Sequence, residues 1–282
     1  MSIFIPIFAA VLQAGSCTLD KIILSMKRVT DTAYIAVSFP LTFLFTLVIF
    51  CVVRPPFSAA MFSGITLVAF LASIVIFIAT NAFYYRALDG DGLGEVAMLD
   101  LLRNLPVIVF SALLFSDERN AAVLVLACVA TAALIWSHWE HHNFKIRKRT
   151  RPFLVWTLSV AALGAPLSKI VLATWDPVSF ELVRSGFAAI LFGGLFFQSA
   201  RQLTVRSFAL LMLTNGLTTV AWILYFFSFQ KFGIVMTVLL FSLQPLLVYA
   251  ASIVLLKEKI QPRKMLAFAV ILLSISVSLA LR

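Results

Sequence analysis

The segment GEVAMLDLLRNLPVIV, residues 94–109, places Asp100, Arg103 and Asn104 three and four positions apart. On a helix that spacing projects a carboxylate, a guanidinium and an amide from one face. The surrounding run is apolar, and these residues stand roughly 10–16 Å into it at about 1.5 Å per residue. Charges at such depth cost several kcal/mol unless paired or hydrated, so they face a bundle interior or a wet cavity. Asp100 is therefore the expected protonatable group, with Arg103 as its counter-charge or as a clamp for an anion. The competing structural role is an ion pair that ties two helices together. Pro106 cannot donate a hydrogen bond and frees the Leu102 carbonyl, so a bend is expected beside the charges.

Other polar residues repeat at helical spacing. Asn215, Thr218, Thr219, Trp222 and Tyr225 form a stripe of three- and four-residue steps, which suits the wall of a pocket for an amphipathic small molecule. Asn81 is expected to join them, whereas Tyr84 and Tyr85, near a helix end, read as headgroup anchors. Gln244 and Ser242 flank a second proline, Pro245, another expected kink. Glu181 and Arg184 form an i, i+3 pair near one end of a span. Lys169 could join them, and with Lys21 the four are candidate gate residues, although an interfacial ion cluster explains the Glu181–Arg184 group as well. Glu118 and Glu258, beside basic residues at helix ends, read as interfacial.

The elements that carry these residues follow from composition. Of 282 residues, 62% are hydrophobic and 12% charged, far from globular averages. A membrane-spanning helix takes about 20 apolar residues, and such runs follow one another at roughly 3–26, 33–53, 61–86, 93–115, 121–138, 153–174, 177–198, 205–229, 233–256 and 262–281. Ten spans are expected in an all-α integral membrane protein. The first reads as a span and not a cleaved signal, because no basic region precedes it. The net charge of +10 is read against the bilayer and not as a sign of nucleic-acid binding. Loops after odd-numbered spans hold fourteen Lys and Arg, against four on the other side. The positive-inside rule then makes the KIRKRTR connector cytoplasmic and sends both termini outward.

That connector divides the chain into residues 1–139 and 153–282, joined by a basic loop at 140–152. The halves align. Leu-x-Lys-Ile-x-Leu occurs around both Lys21 and Lys169, Pro106 matches Pro245, Glu118 falls one residue out of step with Glu258, and YYRALDGDG corresponds loosely to YFFSFQKFG. Five spans per half is an odd number, so the second half enters the bilayer in the opposite sense. Such inverted repeats build many secondary transporters.

A lysine late in the first helix of each half, a YYRAL-like end to the third, and a fourth-helix proline followed by a glutamate resemble the EamA branch of the drug/metabolite transporter superfamily. The likeness covers both halves, and Arg184 in FELVRSGFAAIL is similar to an arginine often found in the second helix of such a unit. The first half has AVSFPLTF there, without an arginine, and the fourth helix carries charges where relatives are usually neutral. The resemblance implies a ten-helix exporter or exchanger of small metabolites, amino acids or drugs, often driven by protons, in a bacterial inner membrane. Alternatives are a flippase for a lipid-linked sugar and an uncoupled channel or facilitator.

The sequence contains no Gly-rich phosphate loop, Gly-x-Ser-x-Gly elbow or His-Glu-x-x-His motif, so no enzyme and no cofactor are expected. His138, His141 and His142 cluster at a helix end beside the basic loop, where a surface segment is the simpler reading than a metal site. Cys17, Cys51 and Cys128 lie in separate spans, which excludes a Cys-x-x-Cys framework. The expected partners are a small-molecule substrate, protons and the bilayer.

Overall fold

A computed structural model describes residues 4–26, 29–57, 59–88, 99–138, 150–201, 203–256 and 261–281. Among these residues there is no strand. Backbone polar groups find no water in a bilayer core, so helices that satisfy them internally are the form such an apolar chain must take.

The first half comprises α1 (Phe4–Leu24), α2 (Asp31–Val53), α3 (Gly64–Leu88), α4 (Asn104–Leu114, preceded by helical residues 99–102) and α5 (Ala121–His138). The second comprises α6 (Arg151–Leu158), α7 (Gly164–Leu172), α8 (Pro177–Ala188), α9 (Gly194–Ala200), α10 (Val205–Phe232), α11 (Ile234–Phe241), α12 (Gln244–Leu256) and α13 (Pro262–Ala280). Side-chain caps mark several starts. Thr30 accepts from the Ala33 amide, Asn120 from those of Ala122 and Val123, and Asp176 from that of Val178. Thr204 and Ser207 form a reciprocal capping box at α10, satisfying amides that a helix start leaves unpaired.

Among the described residues, eight helical segments are long and apolar enough to cross a membrane: the helices α1, α2, α3, α10 and α13, and the runs Arg151–Leu172, Pro177–Ala200 and Ile234–Ala251. Among the described residues the other two expected spans fall short on length. The fourth is interrupted at Arg103, and Ala121–Ser137 is a shorter apolar helix.

The breaks have local causes. The second-half counterpart of the Arg103 break is the turn at residues 242–243, and each precedes a proline, Pro106 or Pro245, that sits in the first turn of the following helix. Proline is tolerated there because that turn has no intrahelical partner for its amide. Between α8 and α9 the chain widens into a π-helical stretch, Ala189–Gly193. A Cβ on Gly193 would approach the ring of Pro40 in α2 to 3.0 Å, so the two helices meet through a glycine.

Packing runs between halves. The helix α1 lies along α10, α5 along α13, and α2 along α8 and α9, while α3 rests on α6 and α7. Helix α11 is central: Ile234, Val235, Met236, Leu239 and Leu240 are buried. Val48, Ile65, Val75, Ile190, Leu195 and Val205 instead lie exposed on the outside, as suits a surface solvated by lipid tails. Polar links join the helices. The Ser16 hydroxyl lies 2.7 Å from that of Thr214 and 2.5 Å from that of Thr218, and the Trp156 indole donates to Thr80 at 2.9 Å.

Candidate functional site

A cavity of ≈ 400 Å³ lies between the halves. Helix α1 contributes Gln13, Cys17 and Asp20; α3 contributes Phe77, Thr80, Asn81 and Tyr84. Asp100, Arg103 and Asn104 enter at the break before α4, and α8 and α10 supply Arg184, Trp222, Tyr225, Phe226 and Phe229. The first-half charged trio thus meets the second-half aromatic stripe, more than a hundred positions further along the chain.

Arg103 donates to Asp100 at 3.2 Å, and both side chains are about one-third exposed, 30% and 34%. Pairing within the helix lowers the cost of each charge, and the exposed remainder stays available to a solute. The second pair is deeper. Arg184 lies 2.6 Å from Glu181, with side-chain exposures of 9% and 2%. Its guanidinium sits 4.4 Å from the ring of Phe77, 4.6 Å from Phe226, 5.1 Å from Trp222 and 5.9 Å from Phe180. Ring faces carry negative potential, so they stabilise the cation where water is excluded. Arg184 Nε and Gln13 Oε1 are buried without a hydrogen-bond partner. Both residues line the cavity.

Asp20 is a cavity carboxylate that sequence reasoning passed over beside the repeated lysine. It accepts from the Thr214 hydroxyl at 2.7 Å. Its signal was the stripe Gln13, Cys17, Asp20, an i, i+4, i+7 series that puts all three on one helix face.

Several expected members sit elsewhere. Asn215 does not line the cavity: it donates to the Leu211 carbonyl at 2.8 Å and accepts from Thr42 at 3.1 Å, joining α10 to α2. Gln244 reaches the wall through Cys17, donating to its sulfur at 3.3 Å. Tyr84, expected at the headgroups, lines the cavity, since α3 tilts it against Asp100 and Phe153 instead of lipid. Lys169 does not join Glu181 and Arg184, because it is held by Asp117 and Glu118, each at 2.5 Å. Glu118, expected at a helix end, lies there and is buried against the second half. Lys21 is exposed in the last turn of α1. The side chains of Tyr85 and His138, and the whole of Glu258, His141 and His142, fall outside the described residues. Among the described residues no three His, Cys, Asp or Glu gather as a metal set.

Residues 153–280 match the model of the EamA-like transporter family. The second half is similar to that family. That EamA-like half supplies Arg184, Trp222, Tyr225 and Phe226 to the cavity wall. One solved crystal structure superposes with a TM-score of 0.76 at 14% identity, covering 99% of this chain and 97% of that one. At that identity the likeness shows the fold alone. No curated protein matches the chain.

Proposed function

We propose that the protein is a secondary active transporter of small metabolites that works by alternating access. The substrate occupies the cavity between two inverted five-helix units, residues 1–139 and 153–282. The carrying observation is the cavity wall itself: Asp20, Asp100, Arg103 and Arg184 share one apolar-walled space inside a bundle whose outer face is lipid-like. Such charges inside a membrane mark substrate and ion pathways.

Helix pairing supports the inverted repeat. The first span of each half packs on the third of the other, α1 on α10 and α6–α7 on α3; the second spans pack on one another, as do the fifth. The fourth of each half packs on the first of the other, α4 on α7 and α12 on α1. Those exchanges are what a pseudo-two-fold axis in the membrane plane produces. Ten crossings result when residues 99–114 and α5 complete the first unit.

In the mechanism, Arg184 and Arg103 attract an anionic group of the substrate while the ring wall takes its apolar body. Asp100 exchanges a proton, so its charge alters the affinity of the cavity. Export from a bacterial inner membrane is the direction proposed. The test compares metabolites of cells with and without the protein, then measures uptake of the best candidates into inside-out vesicles. Uptake is expected to need an intact proton gradient and to fail in Asp100→Asn at normal protein levels. Retained gradient-driven uptake in that variant removes Asp100 from the mechanism, and gradient-independent, unsaturable flux points to a facilitator.

A further inference from the structure

Glu118 lies in the connection between α4 and α5, where a carboxylate would ordinarily meet water. It is 5% exposed, and both its oxygens are taken by the second half. Oε1 accepts from the Ile234 amide at 2.6 Å and from Lys169 at 2.5 Å, and Oε2 accepts from the Val235 amide at 3.0 Å. These amides open α11, where unpaired N–H groups and the helix dipole favour a negative charge. Gly233 has φ +82°, and a Cβ there would lie 2.6 Å from the carboxylate. Lys169 bridges on to Asp117 at 2.5 Å and lies 4.7 Å from the Phe115 ring.

Beside this cluster is a second recess, lined by Ile65, Asp117, Lys169, Gln230, Lys231 and Gly233 among others. Phe229 lines both this recess and the central cavity. It is 2% exposed and packs 4.7 Å from the Tyr225 ring. Its carbonyl accepts from the Gly233 amide at 3.2 Å. The partition and the cluster are therefore one helical turn apart on the same strand of chain. Any shift of the end of α10 that withdraws Phe229 carries Gly233 with it, and Glu118 of the opposite half grips the residues that follow.

We propose that Glu118, clasped to Lys169 and to the start of α11, is the latch that holds closed the passage between the central cavity and this recess, with Phe229 as the moving partition. The inference rests on the central cavity being the transport site, and it deepens that reading by naming the residues that seal one side. Glu181 and Arg184 are not part of the seal, since Arg184 lines the central cavity and Glu181 is its ion-pair partner.

Cys17 lines the cavity and serves as a built-in probe once Cys51 and Cys128 are replaced by Ala. A membrane-impermeant cationic methanethiosulfonate is applied to each face of the reconstituted protein in turn. Release of charge-assisted hydrogen bonds should make Cys17 modification from the Lys169 face about tenfold faster or more in Glu118→Gln and in Lys169→Met. Phe229→Ala should do the same with the latch intact. Lys169→Met retains the carboxylate cap, so it carries the test if Glu118→Gln does not fold. An unchanged rate from the Lys169 face, or an equal rise from both faces, overturns the latch. Flux of the candidate substrate is measured alongside: altered access without wild-type flux leaves the latch standing and removes the transport reading, while wild-type flux with unaltered access does the reverse.

Discussion

Arg184 illustrates how much a single residue can be asked to do inside a bilayer. Its charge is balanced by Glu181 and by four aromatic rings, and its Nε is buried without a hydrogen-bond partner. Breaking a buried pair strands the surviving charge at a cost of about 3–5 kcal/mol, whereas replacing both partners by apolar residues is often neutral or stabilising. Glu181→Gln should accordingly lower the thermal unfolding midpoint in detergent, and Glu181→Leu with Arg184→Met should recover it while abolishing uptake. A double variant that still transports would take Arg184 out of the site. The spacing of Asp100, Arg103 and Asn104 was legible because all three fall within five consecutive residues. Asp20 was as legible in period, through Gln13 and Cys17, but Lys21 next to it drew attention to the helix end. What period could not disclose was that Asn215 spends its amide on Thr42 and the Leu211 carbonyl, partners outside its own stripe or hidden within its backbone.

Helices here are stopped and joined by specific chemistry, and two changes test that. Gly233→Ala introduces a Cβ at positive φ and against the Glu118 carboxylate. Strain at such a residue costs on the order of 1–3 kcal/mol, so the variant should unfold at lower temperature and share the raised Cys17 access of the latch variants. Thr214→Val removes the hydroxyl that meets Ser16 and Asp20. Hydrogen bonds between membrane helices average about 0.6 kcal/mol and reach about 1.7 kcal/mol, so a modest loss of stability at the α1–α10 contact is expected in equilibrium unfolding. A neutral result would mean that shape, not the hydroxyl bonds, holds these helices. The prolines announced the breaks at Arg103 and at residues 242–243, because a missing amide donor is a property of the residue itself. The π-helical turn against Pro40 depends on its neighbours and had no such local sign.

Across the whole molecule, the apolar exterior and the cross-half pairing agree with a chain built to sit in lipid. The charge distribution makes a global prediction: with fourteen basic residues on one side and four on the other, both termini should face outward. A C-terminal reporter active only in the cytoplasm should therefore stay silent, and activity there would reverse the orientation and with it the face assigned to the latch. By itself the sequence determined the membrane class and the order of the helices, because partition into lipid depends on the composition of each segment. Tertiary structure alone decided that Asp20, Asp100 and Arg184 share a cavity and that Glu118 is buried against Lys169 and Ile234. Those meetings join residues dozens to more than a hundred positions apart, through helix packing that no local period encodes.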